Sequence, residues 1–379
     1  MQVEQTQWSQ PHGWTPAPLG KLGHSADLVL AFGSTACLEN TSLLAELRAA
    51  YPRALLTGCS TAGEIFGTQV CDDSLVVTAI TFEHTTVAGQ LSAVNTAVDS
   101  YQCGQQLAGA IPHENLSHVF VLSDGLHVNG SQLVAGLTEH LPANVSVTGG
   151  LAGDSDRFEK TLLLWNGESR SHTAAIIGFY GERLKVGYGS LGGWEAFGPE
   201  RLVTRAEENV LYEMDGKSAL ELYKQYLGEH ADGLPATGLL FPLGLRSEGD
   251  KQEVVRTILS INEDEQSMTF AGEVPVGHHV RLMRASNNRL VNGASEAATT
   301  TYQAIGERQT ELAILISCVG RKMVLKQRVE EETEAVQEIL GNKAILTGFY
   351  SYGEISPFTP GGTCELHNQT MTITAFTEI

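Results

Sequence analysis

The stretch ALLTGCSTAGEI, residues 54–65, joins an apolar run to two glycines, a Cys-Ser-Thr cluster and an acid. It recurs at residues 344–355 as AILTGFYSYGEI, with Ala, Leu, Thr, both glycines, Glu and Ile at matching positions. An apolar run ending in Ser precedes each copy, at 28–34 and at 312–317. Self-similarity of this kind is the signature of a repeated structural unit, so the chain is predicted to use one unit at least twice.

A third and weaker copy lies between the other two. Its parts are HVFVLSDG (118–125), the helix-like SQLVAGLTEHLP (131–142), VSVTGGLAGD (145–154) and HTAAIIGFYGE (172–182). The turn of this copy is one residue shorter and ends in Asp154 rather than Glu. The repeated unit therefore reads strand, helix, strand, glycine turn, strand.

Local patterns predict the helices and strands of each unit. Asn40 or Thr41 is placed to cap the first helix, and Ser131 is placed to cap the second. The third helix is predicted as one piece from a stripe of four apolar residues, Leu325, Val329, Val336 and Leu340. The first two strands of each unit are apolar throughout and are predicted to be parallel and covered on both faces. The final strands alternate more and are predicted to be half exposed.

These units predict a mixed α/β (α+β) fold, in which repeated strand–helix–strand–turn–strand units form sheets with flanking helices. We divide the chain into two associated domains, residues 25–220 and 221–379. A β-rich insert at 254–286 precedes the third unit. The glycine turns are expected at the carboxyl ends of the parallel strands, where open α/β sheets usually bind ligands.

The three turns share their glycines and acids but not a nucleophile. Cys59 and Ser60 of the first copy are replaced by Phe349 and Tyr350 in the last one. The glycines allow close backbone approach and positive φ, and exposed N–H groups in such a turn can bind an anionic or carbonyl group. A structural turn and a ligand-lining turn both remain open. Because Cys59 has no counterpart, we expect it not to act as a nucleophile.

Composition narrows the class of protein. The chain has 379 residues and a formal net charge of −20, with 42% apolar and 18% charged residues, which is typical of a globular protein. That charge argues against a nucleic-acid partner or an anionic membrane surface. No apolar run approaches the length of a membrane span, and the first residues do not resemble a signal peptide. We therefore expect a soluble, cytoplasmic protein.

The motifs GCSTAGEI, SDG (123–125), GGLAGD (149–154) and GFYSYGEISPF…ELHNQTMTITAFTE resemble those of the FIST (F-box and intracellular signal transduction) sensory proteins. The resemblance runs from about Asp27 to the C-terminus. It implies a FIST N-terminal and a FIST C-terminal domain (FIST_C) that together bind a small molecule, such as an amino acid or a derivative. It also implies output through a separate signalling protein. Some stand-alone members of the family are described as haem-containing nitric-oxide sensors that regulate a histidine kinase.

Ligand contacts are expected from the three turns and from the strand ends beside them. The candidate ligand-binding residues are Gly58, Ser60, Thr61, Gly63, Glu64, Ser123, Asp124, Gly149, Asp154, Tyr350, Tyr352, Glu354, His367 and Asn368. The turns around Glu64 and Glu354 are predicted to line one shared cleft.

The sequence does not identify the ligand. Haem is possible as a cofactor, with His367, His279 and His127 as candidate axial ligands. The sequence does not select among these three histidines, and a structural or surface role is more common for each.

Parts of the sequence suggest two other functions. Ser60, Ser123, Asp124 and His367 could converge as a hydrolase site, or Cys59 could pair with His367, but the G-x-S-x-G motif is absent. We therefore expect no enzyme. The stretch GYGSLG at 187–192 fits the dinucleotide motif G-x-G-x-x-G, yet GWEAFGPE follows where a helix should begin, so a glycine-rich bend is predicted instead.

Overall fold

Three units with the same order of elements build most of the molecule. The computed structural model describes residues 1–94, 96–247, 253–358 and 361–379. Unit one comprises β1 (Gln2–Ser9), β2 (Gly13–Thr15), β3 (Leu28–Gly33), α1 (Thr35–Glu39), α2 (Thr41–Ala50), β4 (Leu55–Ser60), β5 (Glu64–Phe66), β6 (Gln69–Cys71) and β7 (Ser74–Thr81). Unit two comprises β8 (Thr86–Ala93), α3 (Ser100–Ala110), β9 (Leu116–Ser123), α4 (Gly130–His140), β10 (Ser146–Leu151), β11 (Leu163–Trp165), β12 (Glu168–Arg170) and β13 (Thr173–Tyr180).

Unit three is interrupted by an insert. It opens with β14 (Leu184–Leu191), and the insert follows as β15 (Glu195–Glu207), β16 (Val210–Met214), β17 (Lys217–Ser218), α5 (Ala219–Leu227), β18 (Leu243–Arg246), β19 (Val254–Arg256), β20 (Ile258–Asn262), β21 (Ser267–Phe270) and β22 (His279–Arg284). The unit then resumes with α6 (Asn287–Ala304), β23 (Leu312–Cys318), α7 (Val319–Leu325), α8 (Glu330–Leu340), β24 (Ile345–Ser351), β25 (Gly353–Pro357), β26 (Cys364–His367) and β27 (Met371–Glu378).

Each unit contributes its hairpin to the sheet of another unit. The sheets run β12-β11-β4-β3-β7-β1-β2 (sheet one), β26-β25-β10-β9-β13-β8 (sheet two) and β6-β5-β24-β23-β27-β14 (sheet three). The hairpin of unit two thus completes sheet one, that of unit three completes sheet two, and that of unit one completes sheet three. The pairs β3–β4, β9–β10 and β23–β24 are parallel, as predicted, and the added hairpins are antiparallel. The arrangement confirms the mixed α and β fold class.

Alternation along the strands divides the core into an inner and an outer layer. The inner layer lies where the three sheets meet and includes Phe32, Phe120, Ile316 and Phe349, with the rings of Phe32 and Phe349 4.8 Å apart. The residues between them face outward against the helices, with α2 covering sheet one, α3 and α4 covering sheet two, and α6 and α8 covering sheet three. Each fully buried Leu or Phe stabilises the fold by about 1.5–3 kcal/mol relative to exposure, so both layers contribute heavily.

The glycines before the turns are required by strand spacing rather than by a loop. Gly58 lies inside β4, where a Cβ would stand 1.7 Å from the carbonyl oxygen of Ala31 on β3. Gly149 and Gly348 stand in the same position of β10 and β24 and meet the carbonyls of Val121 and Leu315. Any side chain at these positions would push the two parallel strands apart.

Three expectations about local structure are wrong. The final strands β7, β13 and β27 are buried almost throughout, because each lies between a first strand and an outer strand with the inner core on one face and helices on the other. The second helix is capped by Asn129, whose side chain accepts a hydrogen bond from Gln132 N, rather than by Ser131. The third helix is two pieces, because the chain turns at Lys326 with φ of 53° between α7 and α8.

The insert is larger than the predicted segment 254–286. Its sheet runs β19-β18-β22-β15-β16-β21-β20, with β17 paired to β16, so strands before and after residue 220 belong to one sheet. It has its own core around Leu211, Tyr223, Met268 and Phe270. The glycine-rich stretch 187–192 is not the predicted bend, because residues 187–191 belong to β14 and pair regularly with β27; β15 follows, and no helix begins there among the described residues.

One of three equivalent threonines in the pseudo-threefold core lacks a hydrogen-bond partner among the described residues. The hydroxyl of Thr78 donates to Thr347 at 2.9 Å, and that of Thr374 donates to Thr148 at 2.8 Å. Thr57 is the equivalent of Thr148 and Thr347 in unit one. The position facing it is Ile177, by strand register, and the Thr57 hydroxyl is buried with no partner among the described residues.

We therefore expect Thr57→Val to leave the free energy of unfolding unchanged or to raise it, because the change removes an unpaired buried hydroxyl. Thr148→Val is the control and should cost about 1–3 kcal/mol, because it removes the hydrogen-bond partner of the Thr374 hydroxyl and of His118 Nε2. Urea unfolding of both variants measures the difference. An equal loss of stability in the two variants would contradict this account.

Candidate functional site

The three glycine turns meet at the centre of the molecule and bond to one another in a ring. The bonds join Ala62 N to Tyr350 O (2.8 Å), Gly153 N to Ser60 O (2.9 Å) and Tyr352 N to Leu151 O (3.3 Å). The turns of units one and three therefore lie side by side, and Glu64 on β5 pairs with Phe349 on β24. This places the predicted turn residues together. Whether they line a ligand cleft stays a prediction.

Glu64 is enclosed by hydrogen-bond donors of its own unit. It is 1% exposed. Its Oε1 accepts from Thr61 Oγ1 at 2.5 Å, and its Oε2 accepts from Ser74 N and Ser74 Oγ at 3.2 and 2.6 Å. The carboxyl group ties the turn to the start of β7, and the donors around it are already engaged.

Glu354 repeats the arrangement in unit three. Its Oε1 accepts from Ser351 Oγ at 2.6 Å, and its Oε2 accepts from Thr370 N and Thr370 Oγ1 at 3.1 and 3.0 Å. The residue is 0% exposed. In both units an acid therefore links a hydroxyl three residues earlier to the residue at or just before the last strand.

Burial raises the pKa of both acids. The pKa of Glu64 is raised to about 7, although the hydroxyls of Ser74 and Thr61 act in the opposite direction. The pKa of Glu354 is raised to about 8, again against the bonds from Ser351 and Thr370. These two carboxyl groups therefore change charge close to neutral pH.

In unit two a different residue links the turn to the last strand. By strand register Leu163 pairs with Cys59 as Glu64 pairs with Phe349, so Leu163 occupies the position of the two acids and Asp154 does not. The equivalence of Asp154 with the acids is thus wrong, because unit two has a longer loop before its hairpin. Asp124 takes over the role by accepting from Thr161 Oγ1 at 2.9 Å and from His172 N at 2.8 Å.

The two aspartates of unit two keep their charge. Burial alone would raise the pKa of Asp124, but the backbone N–H groups of Leu126, His172 and His127 outweigh it and lower the pKa. Asp154 binds the Arg157 side chain and accepts from Thr35 Oγ1 at 2.8 Å, and its pKa is likewise lowered against the effect of burial.

The remaining predicted residues serve the framework around the turns. Ser60 Oγ accepts from Leu162 N at 2.9 Å, and Ser123 Oγ donates to Asp124 O at 3.2 Å. Gly63 has a φ of 140° and packs under the Lys322 ammonium group, which donates to Ala62 O at 2.8 Å.

The two tyrosines connect the third turn to its surroundings. Tyr350 is buried, and its hydroxyl donates to Glu332 Oε1 at 2.6 Å; Glu332 in turn forms a fully buried ion pair with Arg321. Tyr352 donates to Ser155 O at 3.1 Å. The third turn is thereby held by α7, α8 and the long loop of unit two.

A cavity of about 450 Å³ lies where the insert meets unit two and β26. The sequence analysis missed it, because its walls come from three segments that are remote in the chain. It is lined by Ser131, Val134, Ala135, Thr138, Leu245, Ser247, Val254, Arg256, Glu273, Pro275, His278, Thr363, Cys364, Glu365 and Leu366. Apolar walls thus surround a few charged and hydroxyl groups, which is the usual composition of a small-molecule site.

Arg256 is the unusual residue of this cavity. It is 9% exposed, its Nε donates to Glu273 O at 3.2 Å and its Nη1 donates to Leu366 O at 3.0 Å. Its Nη2 donates to no residue that the structure describes, and no described carboxylate forms an ion pair with it. Burial lowers the pKa of Arg256 to about 10, although the carboxylates of Glu365 and Glu273 act in the opposite direction, so the guanidinium is still charged at neutral pH.

Other polar groups around the cavity are partly unpaired. The hydroxyl of Ser131, in the first turn of α4, is buried with no partner among the described residues. Glu273 accepts a hydrogen bond from the side chain of Gln132, and Glu365 is exposed on β26. Nothing in the sequence around Arg256 distinguishes it from the other arginines, so the sequence carries no signal for this cavity.

His367 and Asn368 lie behind the wall of this cavity. Asn368 Oδ1 accepts from Thr257 N at 3.4 Å and its Nδ2 donates to Tyr352 O at 3.3 Å, so it links the insert to the third turn. His367 is 1% exposed and its Nε2 donates to Ser356 O at 2.7 Å. Burial lowers the pKa of His367 to about 4, which leaves the ring neutral.

The surroundings of the three candidate axial histidines do not fit a haem. The ring of His367 is closed in by the ring of Phe358 at 4.0 Å, and His127 bonds to Asp124 and stacks on His172 at 3.8 Å. His279 is the first residue of β22, and its Nδ1 is buried without a described partner. The cavities of 350 to 620 Å³ found beside the described residues are lined by none of these three rings. Haem binding needs a ligand that faces an apolar slot, and it stays a prediction of the resemblance alone.

The described part of the chain also lacks two other features. No group of three or more His, Cys, Asp or Glu side chains is placed there to hold a metal ion. Within residues 1–94, 96–247, 253–358 and 361–379, no helix has both the length and the apolar character that crossing a membrane requires.

The protein thus has mixed α and β structure, with a core of three units, an insert, and a cavity between the insert, unit two and β26. The family model of the FIST N domain matches residues 27–217, and that of the FIST C domain matches residues 219–357. The chain therefore belongs to the FIST family, whose domains are associated with sensing in signal transduction.

Two further comparisons give one similar sequence and one aligned solved structure. The chain is 33% identical over 207 residues to an uncharacterized protein of Methanocaldococcus jannaschii, covering 50% of this chain and 38% of that protein. It thus spans about two fifths of the relative's length. Among solved structures, cyanuric acid hydrolase from A. caulinodans aligns over 100% of this chain and 98% of its own, with 8% identity and a TM-score of 0.37. A likeness at that level transfers no function.

The buried acids predict how stability depends on pH. Because the folded-state pKa values of Glu64 and Glu354, about 7 and about 8, lie above the ordinary value of 4.5, their favourable contribution is complete below about pH 4.5 and is lost as pH rises through 7 and 8. Glu64→Gln and Glu354→Gln should each remove on the order of 3 kcal/mol of this decline. Unfolding by urea from pH 5 to pH 9 measures it.

Glutamine is a suitable replacement, because its amide can donate to Thr61 or Ser351 while its oxygen accepts from Ser74 or Thr370. The exposed Glu334 on α8 provides the control, and Glu334→Gln should leave the profile of the wild type unchanged. An identical pH profile for all three variants would show that the two buried acids do not titrate as described.

Proposed function

We propose that this chain is a sensory protein that binds a small, amino-acid-like ligand in the cavity between the insert and unit two. It passes the signal to a separate protein, such as a histidine kinase, and has no catalysis of its own. One observation carries the choice of site: Arg256 is buried and charged at the wall of a cavity, and no described carboxylate lies close enough to form an ion pair with it, although Glu365 and Glu273 act on it from a longer distance.

A ligand carboxylate would give Arg256 the close ion pair that no described residue forms with it. Burying an unpaired charge is costly, and a guanidinium binds a carboxylate through two parallel N–H···O bonds. Nη2 donates to no residue in the described part of the chain, and the Ser131 hydroxyl lines the same cavity. Glu273 and Glu365 also line it and can accept from a ligand ammonium group. These groups together suit a zwitterion with an apolar side chain.

The glycine turns present fewer available hydrogen-bonding groups to a ligand than this cavity does. The carboxyl oxygens of Glu64 and Glu354 already accept bonds from protein donors, and both residues are almost fully buried. Their place in the proposal is to hold the framework behind the site. Arg256 bonds to β26, and β26 pairs with β25 directly after the third turn, so a ligand at Arg256 is connected to the central ring.

The proposal predicts ligand binding that depends on Arg256. In a thermal-shift screen of free amino acids, at least one should raise the melting temperature, and its amide, which lacks the carboxylate, should not. Arg256→Gln should weaken the affinity about ten- to a hundredfold, as expected for the loss of a charge-assisted hydrogen bond. Calorimetric titration of the active amino acid measures this.

Arg284→Gln is the matched control, because Arg284 lies on the same sheet of the insert, is 60% exposed and pairs with Glu195. It should bind as the wild type does. Unaltered affinity in Arg256→Gln, with a normal melting temperature in the absence of ligand, would remove this site from consideration.

The absence of catalysis is predicted from the state of the nucleophiles. Cys59 is 0% exposed, and burial raises the pKa of its thiol far above the usual value, so no thiolate is present at neutral pH. Purified protein should not hydrolyse p-nitrophenyl acetate with steady turnover. Turnover that disappears in Cys59→Ala would instead establish the Cys59 hydrolase alternative.

A further inference from the structure

The cavity at Arg256 continues into a second one. The neighbouring cavity has a volume of about 350 Å³ and is lined in part by Leu141, Val145, Val147, Tyr188 and Pro357. Both cavities share Thr138, Thr363 and Cys364 as lining residues. They are therefore two parts of one groove, which runs between α4 and the segment 361–366.

The groove is long for a single amino acid. Its helical wall extends from Ser131 through Val134 and Thr138 to Leu141, which is one face of α4. Ten residues of helix at 1.5 Å per residue give a length of about 15 Å. An extended peptide advances about 3.3 Å per residue, so this length fits four residues or slightly more.

The other wall is the free edge of a sheet. β26 is the terminal strand of sheet two, and β25 is the one strand it pairs with in the described part of the chain. The carbonyl of Leu366 accepts from Arg256 Nη1 and so points away from β25. Because alternate residues of an antiparallel edge strand direct their N–H and C=O groups the same way, Cys364 presents its backbone groups to the groove as well. Such an edge is a template for one more strand.

We propose that the ligand of this groove is a short peptide with a free C-terminal carboxylate, bound in an extended conformation beside β26. The inference rests on the proposed function and names its ligand class. Arg256 binds the terminal carboxylate, the backbone pairs with the edge at Cys364, and side chains lie against Val134 and Leu366. A simple acyl chain suits the groove less, because Thr138, Thr363 and the free backbone groups would lose hydration without gaining hydrogen bonds.

Four probes separate the possibilities by native mass spectrometry and calorimetry. They are a mixed library of tripeptides with free carboxylates, the same library with C-terminal amides, a mixture of free amino acids, and decanoate. We expect the free tripeptides to bind at least tenfold more tightly than the amino acids. The amides should lose most of this affinity, and decanoate should not bind.

A variant that fills only the second cavity sharpens the test. Asn144→Trp, at an exposed residue that lines the second cavity and not the Arg256 cavity, should weaken the binding of free tripeptides at least tenfold and leave amino-acid binding unchanged. Glu139→Trp, at an exposed residue of α4 that lines neither cavity, is the control and should bind both as the wild type does.

The outcomes distinguish this inference from the function on which it rests. Amino acids that bind as tightly as tripeptides would overturn the peptide groove and leave the proposed function standing. Decanoate binding without tripeptide binding would replace the peptide with an acyl chain. Failure of every carboxylate probe, in a protein that melts cooperatively, would overturn both.

Discussion

Every sheet of the core depends on backbone hydrogen bonds that cross from one unit to another. A β-hairpin alone is marginal in water, and here each hairpin leaves its own unit and pairs with the second strand of a neighbour. The bonds between the three turns, from Ala62 N to Tyr350 O and its two equivalents, close the exchange into a ring. The positions of the turns, the inner core and the edge strand β26 all follow from this closure.

The acid after the second glycine is best understood from that constraint. A turn that delivers a strand to another sheet must be fixed at its own end. Glu64 and Glu354 do this by bonding a hydroxyl of the turn and the residue at or before the last strand of the same unit. In unit two, where Leu163 fills the position, Asp124 at the end of β9 binds the corresponding groups. The recurring Gly-Glu pair therefore marks the hydrogen bonds that hold the turn to the last strand of its own unit. Both units need these bonds, whereas Cys59 takes no part in them and is not shared.

The sequence predicted the repeat, the parallel strand pairs and Asn40 as one of two candidate caps of α2, because these depend on local patterns. It did not predict the exchange of hairpins, since a hairpin has the same periodicity whichever sheet it joins. It aligned Asp154 with the acids because residue spacing alone does not show that the loop of unit two is longer. The predicted half-exposed final strands were an error of the same kind. Thr78 and Thr374 are polar residues that pair inside the core, and only their partners on other units reveal this.

The cavity at Arg256 was not predicted from the sequence for a related reason. The turn residues were named correctly as neighbours of one another, but their donors and acceptors are satisfied within the framework. The cavity is built from α4, the insert and β26, which have no motif in common. Arg256 has no distinctive sequence context, and its importance comes from burial without a close ion pair to a described residue, a property that only the folded arrangement provides.

The exchange of hairpins also sets an order for assembly during synthesis. All strands of sheet one lie within residues 2–170, so this sheet can form once the first half of the chain has left the ribosome. Sheet two waits for β25 and β26, after residue 352, and the hairpin of unit one stays unpaired until β24 is made. Pairings so distant in the chain are slow to form and leave strand edges open meanwhile. A nascent chain of this protein therefore carries an exposed hairpin for most of its synthesis, and a fragment ending at the boundary between the two FIST domains would carry it permanently.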